Sequence, residues 1–201
     1  MSARMAPPAA VQRGMALISS LLLLMIITIL ALSMFRGFGT QEKIAGNLRE
    51  KDRAFHAADS AQQYAEWWLA QGNNAAIGAG ACAALLNANL GQGQICNQTL
   101  PNASGLPAGT PVVQVPLPWA LGVIYTPPNM LLQSLGQASV LGNPNYWATP
   151  GFYIADLGVA ADGAGEAYQI DAYGYGGAAT TVAIVESTYE VQQGVVNRGG
   201  L

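Results

Sequence analysis

Few side chains in this 201-residue chain are of a kind that makes or breaks bonds. The single histidine, His56, stands beside Phe55 and close to Asp59 with no serine or cysteine nucleophile near it in sequence, so a structural or solvated role is expected. No Walker-type glycine loop and no Cys-x-x-Cys pair occurs. Cys82 and Cys96 are the only cysteines. A bridge between them would close a loop of about 15 residues and, in the chain-entropy model, stabilise the fold by about 3 kcal/mol. Free thiols or metal ligation are the alternatives, although two cysteines without a histidine make a poor zinc site. Whether the bridge forms depends on the compartment. Four acids, Asp156, Asp162, Glu166 and Asp171, surround a glycine-rich Asp-Gly-Ala-Gly-Glu run. Calcium takes six to eight oxygens and could be met by carboxylates on such a loop, but the spacing is not that of an EF-hand. A solvated hairpin loop is the expected reading. No cofactor and no catalytic residue is expected.

The elements that would position these residues begin with an uncharged run, Met15 to Phe35. As a helix it would extend roughly 31 Å, about the hydrocarbon thickness of a bilayer. It is longer than the apolar core of a cleaved secretory signal and leads straight into Arg36 with no small-residue cleavage site. A retained membrane helix over 15–36 is therefore expected. Arg4 and Arg13 precede it and no acid does, which places the N-terminus in the cytoplasm and the rest outside, in an oxidising compartment.

From Thr40 to Leu69 the pattern stays helical. Ile44, Leu48, Phe55, Ala58, Ala65 and Leu69 recur at spacings of three, four or seven and predict one apolar stripe. Gly37 and Gly39 fall between the two helical halves and suggest either a bend or close helix packing. Gln71-Gly72-Asn73-Asn74 reads as a stop. Residues 37–71 are thus a continuation of the helix, and an unbroken 15–71 would extend roughly 85 Å.

Residues 72–150 read as loop-rich and include the cysteine pair. Strands are predicted at Phe152–Leu157, Ala167–Tyr173 and Thr180–Val191, with a glycine turn at Gly174–Gly177. The last strand turns polar on one face towards its end, as on an antiparallel sheet covered on one side. Val112–Val115 and Trp119–Tyr125 are further candidate strands interrupted by Pro116 and Pro118. Tyr168, Tyr173, Tyr175, Trp119 and Trp147 are expected mainly in the core. The fold class is α+β: a long N-terminal helix packed on a C-terminal antiparallel sheet over 151–191, with a tail at 192–201. Seven of the eight Lys and Arg lie in the first 53 residues, and eight acids against Arg198 follow. That acidic balance speaks against a nucleic-acid partner. From Trp67 to Ala155 there is no charged residue at all.

The junction Arg13-Gly14-Met15 joins a short basic leader to an apolar run beginning Met-Ala-Leu-Ile. It resembles the prepilin signal of the type IV pilin-like superfamily. Gln41-Glu42-Lys43-Ile44-Ala45-Gly46-Asn47-Leu48-Arg49, followed by Arg53-Ala54-Phe55-His56-Ala57-Ala58-Asp59-Ser60-Ala61, is similar to the segment after the membrane helix in PilX-type minor pilins, with Asp59 where glutamate is usual. The resemblance covers about residues 13–69. It implies a pilin fold, with residues 1–14 a leader, cleavage by a prepilin peptidase after Gly14 and N-methylation of the new terminus Met15. It also implies helix packing through Leu17, Ile18, Leu21 and Leu24, first among membrane lipid and then in a filament.

Major pilins of this superfamily carry a glutamate at the fifth mature position, which pairs with the terminal amine of a neighbouring subunit. Here that position is Ser19. In PilX-like minor pilins, and in the GspK-like tip pseudopilins of type II secretion, this lack goes with a place at or near the filament tip. The resemblance therefore implies a non-catalytic minor pilin that helps initiate or cap pilus assembly, with other minor pilins, the major pilin and a large PilY-type tip adhesin as partners. Pilus-dependent adhesion and twitching motility are the behaviours implied, first from the inner membrane and then at the cell surface. A secretion pseudopilin and a membrane-anchored adhesin that never polymerises are the alternatives. A GspK-like chain usually holds a large inserted helical domain, for which 201 residues leave little room.

Overall fold

Residues 15–82, 86–87, 93–133 and 144–192 are described in the computed structural model. The leader expected over 1–14, with Gly14, and the tail beyond Gln192 lie outside the described residues. Two units divide the chain at Ala45/Gly46.

The predicted helix forms as one element, α1, over Met15–Ala70, with Gly37 and Gly39 inside it. Its end is built as the sequence suggests. Gly72 adopts a left-handed φ of +54°, a conformation that costs glycine little and other residues more. The Gln71 N–H and the Asn74 side-chain amide both donate to the Trp68 carbonyl, at 3.1 and 2.8 Å, satisfying an acceptor of the last turn.

Within the second unit the buried face of α1 consists of Glu50, Ala54, Ala57, Ala58, Ala61, Ala65, Trp68 and Leu69. The predicted stripe is right at Ala58, Ala65 and Leu69. It is wrong at Leu48 and Phe55, and Ile44 in the first unit is likewise exposed. The reason is size. A Cβ added at Gly174 would overlap the backbone of Ala54 and Ala58, so the strand and the helix meet almost backbone to backbone. Only alanine-sized side chains fit such an approach.

Five strands follow in a single sheet, in the order β1 (Leu86–Asn87), β2 (Val123–Ile124), β3 (Gly151–Val159), β4 (Gly165–Tyr175) and β5 (Val182–Gln192). The first pair is parallel and the other pairs are antiparallel. The three long strands are the predicted ones: β3 and β4 run one or two residues further at each end, so that β4 takes in Gly174 and Tyr175 of the predicted turn, and β5 starts two residues later and ends one later than predicted. Of the two proline-interrupted candidates, Val112–Gln114 is a 3-10 turn and only Val123–Ile124 pairs. Proline offers no N–H to a ladder, so pairing stops where prolines begin. A bulge at Asp156/Gly158 re-aims the end of β3; Gly158 sits at φ +84° and its N–H donates to Asp156 Oδ1 at 2.7 Å.

Side chains alternate across the sheet, and each face has its own core. Phe152, Ile154, Tyr168, Ile170 and Ala172 pack with Ala61, Ala65, Trp68 and Leu69 of α1. Tyr153, Ala155, Tyr173 and Tyr175 pack instead with Cys96, Leu100, Val112, Val115 and Trp119. The loop-rich segment is therefore a second cover, including a short helix α2 at Leu100–Ala103. This corrects the expectation of a sheet covered on one side. Val182 and Ile184 lie against the second core, and Glu186, Thr188, Glu190 and Gln192 of that face of β5 are open to solvent. The predicted core aromatics are buried, Trp147 partly so.

Candidate assembly surface

The sequence supplies two kinds of candidate, an apolar helix and a set of polar groups, and the structure treats them differently. Met15, Leu17, Ile18, Leu21 and Leu24 are all well exposed on the first turns of α1. So are the other large apolar residues up to Phe35. None of the most apolar eighteen-residue window is buried by the rest of the protein, and the helix is long and apolar enough to cross a membrane. In water such a surface is untenable; it needs lipid or other helices against it. The hydroxyls in the run are satisfied locally. Ser19 Oγ donates to the Ala16 carbonyl at 3.1 Å, and Ser20, Thr28 and Ser33 make the same i−3 bond. No side-chain polar group of this run is left to seek a partner, as an apolar medium requires. Ser19 brings neither charge nor free donor to the position where a glutamate would demand a countercharge.

Cys82 and Cys96 are joined by a disulfide. The bond fastens the 80–82 segment to Cys96. The Cys96 N–H donates to the Ile154 carbonyl and its carbonyl accepts from the Asp156 N–H, both at 2.8 Å. The bridge thus ties the loop region onto the edge of β3 rather than merely closing a surface loop.

The four acids do not converge. Asp156 caps the bulge, Asp162 Oδ1 accepts from the Ala164 N–H at 2.9 Å, and Glu166 accepts from the Tyr168 hydroxyl at 2.7 Å. Burial first and the Glu166 bond second push the Tyr168 hydroxyl well above its ordinary value. Asp171 is on the opposite face, fully buried. Among the described residues, no three His, Cys, Asp or Glu side chains are grouped to hold a metal. His56 is exposed, with Nε2 3.6 Å from Asp52 Oδ2, one turn away on the same helix.

Two polar arrangements were not singled out from sequence. In the first, Glu50 is buried in α1. Its Oε2 accepts from the Gly177 N–H at 2.6 Å and its Oε1 pairs with Arg53 at 2.9 Å. Arg53 also donates to the Pro144 carbonyl at 2.7 Å and lies over the Tyr146 ring at 4.7 Å. Lys51 Nζ donates to the Val182 carbonyl at 2.9 Å. One turn of helix thereby holds the β4–β5 turn and the 144–146 segment together. The i, i+3 acid–base pair at 50 and 53 was the available signal. The second is Asp171 with Glu186, directly opposite each other in the β4–β5 register. No local signal reveals such a pair, because the register is set by the whole sheet.

The α1 surface is where comparison with known proteins is informative. Residues 13–62 match the family model described as PilX N-terminal. No curated protein and no solved structure matches the chain. The matched stretch takes in the prepilin-like junction, the exposed apolar helix and the first part of the alanine face, so over this N-terminal segment, about a quarter of its length, the chain is similar to the PilX-type pilins of the type IV pilus.

Proposed function

We propose that the protein is a minor pilin that helps initiate or cap a type IV pilus at the filament tip. The single observation that carries this is the PilX N-terminal match over 13–62, in which Ser19 replaces the carboxylate of a bulk subunit. A buried glutamate needs a neutralising partner ahead of it. A subunit without one makes no such demand and suits an end of the filament. In this reading α1 holds the protein in the inner membrane with the sheet domain in the periplasm, where the Cys82–Cys96 bridge forms. A prepilin peptidase cuts between Gly14 and Met15, and Met15 is methylated. Leu17, Ile18, Leu21 and Leu24 then exchange lipid for neighbouring helices, those of other minor pilins and the major pilin, with a PilY-type adhesin at the tip. The protein works by packing and extraction, without catalysis.

Replacing Gly14 by leucine tests the processing step: the chain should keep its leader and migrate more slowly on a gel, and normal shortening would overturn the assignment. Placement is tested by labelling sheared filaments with antibody to the sheet domain. Label at filament ends supports the proposal, and label along their whole length refutes the tip position. Absence of the protein from filaments would favour a membrane-anchored binding module.

A further inference from the structure

The Asp171–Glu186 pair lies on the sheet face away from α1. Asp171 is 0% exposed, while its cross-strand partner Glu186 is reached by solvent. Like charges directly opposite each other on neighbouring strands repel, and a buried carboxylate without a countercharge is costly. Among the described residues the surroundings offer none. From β3, Tyr153 faces Asp171 in register, but its hydroxyl donates to the Gln98 carbonyl at 2.8 Å. On β4, Gln169 donates its amide to both Asp171 oxygens at 3.2 and 3.4 Å, and Tyr173 is the next side chain on that face. The cover over this face, residues 95–122, contains no Asp, Glu, Lys, Arg, His or Tyr. No Lys or Arg occurs between residues 54 and 192, and Lys51 of α1 is engaged at the Val182 carbonyl. One amide is a weak substitute for a cation. A proton shared between the two carboxyls removes the conflict, and their direct opposition in the β4–β5 register sets the two side chains next to each other.

The cover meets the exposed member of the pair, Glu186, and the amide partner of the buried one, Gln169. Thr99, Pro101, Asn102, Thr110 and Val112 form a cleft of about 230 Å³ with Gln169 and Glu186 as its other wall. Water admitted there would reach Glu186, the cross-strand partner of Asp171. We propose that Asp171 and Glu186 form a proton-sharing lock that holds the 99–115 cover on the sheet at acidic to neutral pH and loosens it as the pH rises.

The direction follows from linkage. Burial, and after it the neighbouring Glu186, pushes the Asp171 carboxyl up to about 7, against which the Gln169 bond works only in part. In the unfolded chain the same group releases its proton near the ordinary aspartate value of about 3.9. Between those two values the folded state holds one proton more than the unfolded state. Raising the pH through that window therefore weakens folding, and the effect levels off above about 7.

The experiment uses the full chain in detergent micelles, unfolded by denaturant at a series of pH values. The folding constant of the unaltered protein, divided by that of Asp171→Asn, should fall about tenfold per pH unit between roughly pH 4 and 7. Protection of the 99–115 cover amides, measured against their intrinsic exchange rate at each pH, should weaken over the same range in the unaltered protein only. A ratio independent of pH, or cover protection that follows the same pH course in both proteins, overturns the lock. Because Asp171→Asn could fail to fold, the Asp171 carboxyl carbon is also titrated by NMR in the unaltered chain. A midpoint near 7 is expected, and one near 4 overturns the proposal. Glu186→Gln should lower that midpoint; an unchanged midpoint would refute the pairing.

Discussion

The two ends of α1 are built from the same apolar alphabet and solve opposite problems. From Met15 to Phe35 the residues are bulky, Leu, Ile and Met for the most part, and they remain exposed. From Ala54 to Ala65 the buried residues are all alanine, and they vanish against the sheet. Lipid and neighbouring helices are soft partners that accept any bulky apolar surface, so breadth is what counts there. A sheet is a rigid partner whose backbone can come close only if the side chains between are small. Gly174 against Ala54 and Ala58 marks the closest point of that approach. Large residues attract in the first half and would obstruct in the second.

The contrast can be broken first through the disulfide, which belongs wholly to the sheet domain. Cys82→Ser should cost that domain about 3 kcal/mol of unfolding free energy, read from denaturant curves in detergent with and without reductant. It should leave membrane retention unchanged, and reductant should have no further effect on the variant. A comparable effect of opposite locality is expected from Leu24→Arg. A charge at the middle of a membrane helix costs roughly 2.5–3.5 kcal/mol of insertion free energy. The variant should shift from the membrane to the soluble fraction, or be degraded, with no change in the unfolding midpoint of any sheet domain recovered.

Gly174→Ala sharpens the size argument. One added methyl against the Ala54 and Ala58 backbone should destabilise by about 1–3 kcal/mol. Leu24→Ala, a larger change in volume, should leave the same unfolding curve unmoved. Glu50→Gln should give the smallest loss, about 1–2 kcal/mol, because the bond from the Gly177 N–H survives to a neutral acceptor while Arg53 loses its ion partner. It should act on the sheet domain alone. If Glu50→Gln cost nothing, the helix-to-turn clasp would be incidental.

The elements were largely legible in the residues. The length of α1 follows from two helical patterns joined across Gly37 and Gly39 and ended at Gly72, and β3, β4 and β5 from alternating β-branched and aromatic runs separated by glycines. Less was legible in how they pack. Hydrophobicity marked Leu48 and Phe55 as the buried stripe of α1, whereas closeness of approach selected the alanines beside them. The region 72–150 gave no strand signal strong enough to trace, because the backbone bonds of its described residues go largely to turns, to a disulfide-tied edge and to isolated bridges, many with partners far away in sequence.

The chain by itself determined the helix, the three long strands, the prepilin-like junction and the missing carboxylate at Ser19, since each is written in neighbouring residues and their spacing. The tertiary structure alone decided which face of α1 is buried, that the loop region forms a second core on the far side of the sheet, that the four candidate acids lie apart, and that Asp171 meets Glu186. These depend on register and on the distance between backbones, which are set by the sum of many remote contacts and leave no trace in any short stretch of sequence.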